Sequence, residues 1–163
     1  MSIAKPAGTG RKEEVRLDSA ASHLLEECRM VLPGIQALFG FQLIAVFSDG
    51  FEQQLAQGER QLHFLALFLV ALSAALIMAP AAIHRQSQLR EVSERFIWLS
   101  SLLLRTSMYP LALGLTLDVY LIARVVFGTA LLGLVFAAIL FVALVILWLV
   151  LPRREARRTA DLR

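Results

Sequence analysis

The chain has 163 residues, of which 58% are hydrophobic and 18% charged. Soluble domains carry about 25% charged residues; here the charges are bunched between long stretches that have almost none, the pattern of membrane spans and not of a soluble domain. The net charge of +3 and isoelectric point near 9.6 do not indicate a nucleic-acid partner, because the basic residues flank apolar segments and form no patch with interleaved aromatics.

Residues 1–16, "MSIAKPAGTGRKEEVR", lack a periodic apolar face and read as a disordered cytoplasmic tail. Their polarity argues against a cleaved signal peptide. Over residues 17–32, Leu17, Ala21, Leu24, Leu25, Cys28 and Leu32 recur at helical spacing, and Asp18 or Ser19 can cap the start. This predicts an amphipathic interfacial helix, lying on the membrane surface or packed on the protein's own cytoplasmic loop. Cys28 is the sole cysteine, so neither an intramolecular disulfide nor a thiolate metal motif is available, and it reads as a small buried thiol.

"LPG", Leu32 to Gly34, then predicts an elbow, because proline disfavours helix in the residue before it and suits the first turn of a new one. The transmembrane domain covers residues 33–151, with its first span near 30–48, roughly 28 Å at about 1.5 Å per residue. Residues 49–61 form a polar loop, and 62–84 the second span, with Ala71, Ala75 and Ala79 spaced for close helix approach. After the polar stretch 85–95, the apolar run Phe96 to Leu151 is too long for one span and fits two, near 98–120 and 126–151, with a turn between Asp118 and Arg124. A basic tail, 152–163, follows. No strand alternation or internal repeat is evident.

Lysine and arginine fix the expected orientation. Lys5, Arg11, Lys12, Arg16 and Arg29 precede the first span; Arg85, Arg90 and Arg95 lie in the middle connection, with Arg105 just beyond; Arg153, Arg154, Arg157, Arg158 and Arg163 end the chain. The other connections hold only Arg60 and Arg124. With four spans every basic cluster falls on one side, the cytoplasmic one by the positive-inside rule. The expectation is an all-α antiparallel four-helix bundle in a bacterial inner membrane, with both termini cytoplasmic.

"LLEECRMVLPGIQALFGFQL" (Leu24 to Leu43), followed by "APAAIHRQSQLRE" (Ala79 to Glu91), resembles a family of small, uncharacterised four-helix membrane proteins common in actinobacteria and other bacteria. Arg29, Leu32, Pro33, Gly34, Gln36, Leu38, Phe39, Phe41, Pro80, His84 and Arg85 match its pattern, and the similarity spans most of residues 17–150. Some members bear a sodium:proton antiporter label, but the family has no established activity to carry over. The resemblance therefore implies the architecture and no chemistry.

Each polar group in a span is a candidate for function with a structural rival. Arg29, Pro33, Gln36 and Gly40 share a helical stripe, so Arg29 and Gln36 either line a cytoplasmic vestibule or serve a headgroup and a helix contact. Gln42 lies about 240° from Gln36, on another face. Arg105, Tyr109, Ala112 and Thr116 form a second stripe, a polar lining if Arg105 is deep and an interfacial snorkel if it is not. Asp118 is expected to pair with Arg124 across the turn. His84 and Arg85, with Arg153 and Arg154 of the basic tail, are expected to hold lipid headgroups. Nothing matches a nucleotide loop, zinc motif or nucleophile elbow, and no carboxylate pair lies within a span. The sequence thus predicts no enzyme, no cofactor and no metal. The partners implied are membrane lipids and a second copy or another membrane protein, with a small oligomeric cation or proton channel as the alternative; a membrane enzyme ranks below both and would need a cavity gathering Arg29, His84, Arg85 and Glu94 at the cytoplasmic face.

Overall fold

The computed structural model describes residues 7–86 and 94–154, and among them every long element is a helix. The elements are α1 (Ala7–Val46), α2 (Asp49–Gln54), α3 (Gln57–Gln86), α4 (Glu94–Phe127) and α5 (Ala130–Val145), the last running into a π-helical turn, Ile146–Val150. Four stretches are long and apolar enough to cross a membrane: Ser19–Val46, Gln57–Arg85, Glu94–Phe127 and Ala130–Arg154.

Two expected boundaries move. The tail and elbow are replaced by one helix: α1 is continuous from Ala7 and carries Pro33 in its interior. Pro33 deprives the Arg29 carbonyl of its usual donor, and the helix runs through it nonetheless. Pro80 and Pro110 lie inside α3 and α4 in the same way. The turn expected between Asp118 and Arg124 lies instead at Gly128, and α4 runs on to Phe127. Gly128 has φ +68°, a left-handed conformation that ends a helix readily only at glycine. Residues 1–6 of the expected tail, the middle connection around Arg90, and Arg157, Arg158 and Arg163 lie outside the described residues.

The chain divides into two compact units. The first comprises Met1–Gln36 and Ala74–Ser107. Its buried residues include Ala21, Cys28 and Ile35 of α1, Ile77 and Pro80 of α3, and Phe96, Ser100 and Ser107 of α4. The second comprises Ala37–Ser73 and Met108–Arg163. It buries Gln42, Leu55, His63, Ala66, Val70, Ser73, Leu111, Asp118 and Leu121, with Ala137 and Leu144 from α5.

Along α1 the buried residues Ala21, Cys28, Ile35 and Gln42 are each seven positions apart. Along α3 the buried positions His63, Ala66, Val70, Ser73, Ile77 and Pro80 alternate steps of three and four. This is the 3.5-residue seam of helices that pack side by side. Close approach in the second unit comes from glycine. A Cβ on Gly114 would lie 2.9 Å from Val70 Cγ2 and 3.2 Å from the Ala66 carbonyl, and one on Gly133 would lie 2.9 Å from the Tyr120 carbonyl. The expected Ala71, Ala75, Ala79 stripe is not this face: Ala75 is exposed, while Ala66, Val70 and Ser73 have no exposed surface.

Candidate functional site

The short α1–α3 connection is tied down by specific bonds. The Ala56 N–H donates to Glu59 Oε2 (2.8 Å), so the carboxylate reaches back to the residue before α3, as in half of a capping box. Arg60 Nε donates to the Leu55 carbonyl (3.1 Å) and its Nη2 to that of Glu52 (3.3 Å). Arg124 completes this anchor. Its Nε pairs with Glu59 Oε1 and its Nη1 donates to the Gln54 carbonyl (3.3 Å). The expected Asp118–Arg124 pair is therefore not formed. Extending α4 past residue 120 leaves both side chains on a helix, and Arg124 reaches the loop.

Asp118 instead joins Gln42 and His63 inside the second unit, where none of the three is more than 8% exposed. Gln42 Nε2 donates to Asp118 Oδ2, and His63 Nε2 lies 3.0 Å from the Gln42 backbone carbonyl. A carbonyl only accepts, so Nε2 carries the proton and Nδ1 is the nitrogen facing Asp118 Oδ1, 4.0 Å away. The Phe51 ring meets the imidazole edge-on, at 5.2 Å between centroids, and fixes its plane. The three residues line one end of a cavity of about 330 Å³, whose other walls include Phe41, Leu121, Ile122 and Val126. Gln42 Oε1 is buried there without a hydrogen-bond partner.

The first unit holds a larger cavity, of about 590 Å³, lined by Leu25, Cys28, Arg29 and Leu32 of α1 and by Ala75, Ala79, Ala82, His84 and Arg85 of α3, among others. The small alanines of α3, expected to make a helix contact, are its wall. Arg29 and Arg85 are exposed at it, and the His84 ring leans on Phe96 at 5.5 Å with its Nδ1 buried and unpartnered. Among the described residues no carboxylate lines this cavity, Glu94 included. It has donors for an anion and no acid–base pair.

The remaining candidates stand apart. Gln36 is exposed. Arg105 is exposed and turns back on its own helix, its Nε donating to the Ser101 carbonyl at 3.3 Å. Thr116 likewise donates to the Ala112 carbonyl at 2.7 Å. None of these three lines either cavity. Arg153 Nη2 donates to the Tyr109 hydroxyl (3.2 Å), and Arg154 is exposed. Sequence reasoning missed His63 and Glu59 as site residues. His63 could have been found from its place on the α3 seam, three residues before Ala66. Among the described residues no group of three His, Cys, Asp or Glu is placed to hold a metal ion.

One family model, described as a family of unknown function (DUF6328), matches residues 10–152. Comparison with curated proteins and with solved structures finds no match.

Proposed function

The chain belongs to DUF6328, and from that premise and the two cavities we propose that it is a multi-pass membrane protein with no catalytic chemistry, whose first unit binds an anionic lipid. The bilayer setting is supported by an inside-out distribution of polarity. Phe41, Phe47, Phe64 and Leu131 are 68–84% exposed, while Gln42, His63, Ser73, Ser100, Ser107 and Asp118 are buried. Water would reverse that arrangement, whereas a bilayer favours it, because polar groups there seek the helix interior. By the positive-inside rule the basic clusters support a cytoplasmic setting for the cavity with Arg29 and Arg85, and the anionic lipids of that leaflet suit it.

The observation that carries the lipid reading is the 590 Å³ cavity, which sets two guanidinium groups and an imidazole beside apolar residues from two helices. A phosphate head would take Arg29 and Arg85, with His84 Nδ1 as a further partner, and an acyl chain would lie along Leu25, Leu32, Ala75 and Ala79. The expected experiment uses Cys28, which lines the same cavity and is the only cysteine to label. In nanodiscs, phosphatidylglycerol is expected to slow maleimide labelling of Cys28 by roughly tenfold relative to phosphatidylcholine, the factor that about 1.4 kcal/mol of charge-assisted binding gives. The variant Arg29→Gln with Arg85→Gln is expected to label equally fast in both lipids. Equal rates for the unaltered chain would refute the reading.

The alternative of a small oligomeric channel needs Gln36, Arg105 and Thr116 around one water-filled cavity. None of the three lines either cavity described above, so neither cavity supports that reading.

A further inference from the structure

We infer that the cavity of the second unit is a separate binding site for a primary ammonium group carried on an apolar chain. The argument is independent of the anion site, being built from other residues in the other unit.

It starts from an excess of acceptors. Asp118 has one oxygen, Oδ2, satisfied by Gln42 Nε2; its Oδ1 faces His63 Nδ1 at 4.0 Å, beyond hydrogen-bond length. His63 spends its Nε2–H on the Gln42 backbone carbonyl, so in the neutral ring Nδ1 is a lone pair. Gln42 spends its amide N–H on the carboxylate, which leaves Oε1 buried and unpartnered. Asp118 Oδ1, His63 Nδ1 and Gln42 Oε1 are thus three acceptors at one end of one cavity. An alkylammonium group supplies three N–H donors and the charge that a carboxylate in apolar surroundings lacks.

The rest of the cavity selects what the ammonium is attached to. Its volume of about 330 Å³ far exceeds the roughly 30 Å³ share of one water molecule. Away from the polar end its walls are Leu38, Phe41, Phe51, Leu121, Ile122 and Val126. Phe41, Ile122 and Val126 are more than 60% exposed, so the groove opens on the apolar surface of the helices. A chain of methylenes entering from that side carries its amine to the acceptors. Glu59 and Arg124, on the helices that carry His63 and Asp118, are paired with each other. An aminolipid headgroup and a free long-chain amine share this chemistry. A quaternary ammonium, which has no N–H, does not.

The test compares matched pairs on the full chain by native mass spectrometry of the detergent-solubilised protein. One pair is phosphatidylethanolamine against phosphatidylcholine with the same acyl chains; the other is dodecylammonium against dodecyltrimethylammonium. Each pair shares everything but the N–H donors, so the anion site cancels within it. The primary amine of at least one pair is expected to be retained about tenfold over its quaternary partner, about 1.4 kcal/mol. Preference in the lipid pair identifies a headgroup as the source, and preference in the amine pair alone a free amphiphile. Asp118→Asn is expected to abolish the preference. Should that variant fail to fold, Ile122→Trp, which fills the groove and leaves the polar cluster intact, is expected to do the same. No preference in either pair, or a preference that survives in the folded variants, overturns the assignment.

Discussion

Two alanine substitutions for glycine, chemically identical, are expected to have opposite effects on stability. At Gly40 an added Cβ meets nothing within 4 Å, so Gly40→Ala lies in open surroundings on α1. It gains the intrinsic helix preference of alanine over glycine, about 0.8–1 kcal/mol. At Gly133 the Cβ would lie 2.9 Å from the Tyr120 carbonyl, 3.1 Å from Arg124 Cβ and 3.2 Å from the Tyr120 ring. The first two atoms cannot swing aside as the end of a long side chain can, so α4 and α5 must part locally. Overpacking of that kind costs about 1–3 kcal/mol, which the helix-propensity gain of about 1 kcal/mol only partly offsets. Gly133→Ala is therefore expected to be less stable than the unaltered chain by up to about 2 kcal/mol, and Gly40→Ala to be equal or more stable. The assay is thermal loss of helicity by circular dichroism in one detergent, with both variants and the parent side by side. A Gly133→Ala protein as stable as Gly40→Ala would refute the claim that glycine is what lets these helices meet.

Gly114→Ala should follow Gly133→Ala in sign with a smaller cost, because its nearest neighbour is a methyl of Val70 and not a backbone atom; the same melts check it. Arg124→Gln removes the Glu59 pair and the bond to Gln54 O, and should cost about 0.5–1 kcal/mol for a partly exposed pair. It should show first as faster proteolysis of the α1–α3 connection in detergent, and an unchanged cleavage rate would deny the anchor. In proteoliposomes, the purified chain should pass no proton, sodium, potassium or chloride above empty vesicles; flux abolished by Asp118→Asn without loss of folding would reinstate the channel reading.

The four long apolar helices were legible because they depend on local composition. Uninterrupted apolar runs and bunched charges say helix and apolar surroundings without reference to anything distant. The breaks were less legible. Pro33 suggests an elbow to a reader of the sequence alone, but a proline removes a single helical hydrogen bond, and α1 continues through it. The polar pair Asp118 and Arg124 suggests a turn, yet the positive φ needed to end α4 is available cheaply only at Gly128. The cluster was the least legible. Gln42, His63 and Asp118 come from three helices, and which faces meet depends on how each helix is rotated about its axis. The series that ends at Gln42 on α1 and the one that begins at His63 on α3 are patterns of burial, not of composition, so nothing in the sequence marked either residue as inward-facing. The partner of Asp118 was misassigned because Arg124 is near in sequence and Gln42 is not.

The buried polar atoms separate structural polarity from polarity with another use. A polar network kept only for structure is expected to be satisfied within itself, since an unpaired buried group costs about 1–3 kcal/mol. Ser107 and Thr116 fit that description, each hydroxyl donating to a carbonyl of its own helix at 2.7 Å. Among the described residues three buried side-chain atoms lack a partner: Gln42 Oε1, His84 Nδ1 and Ser100 Oγ. Two of these belong to residues that line the two cavities, one in each unit. Their chemistry differs in the way their neighbours do. Among the described residues His84 shares its cavity with two arginines and no acid, whereas Gln42 sits with a carboxylate and an imidazole. A bundle selected for packing alone would have filled both positions with leucine. An unsatisfied histidine beside cations and an unsatisfied amide beside an acid are the observations on which the two proposed sites rest: an anion would satisfy the first and an ammonium group the second.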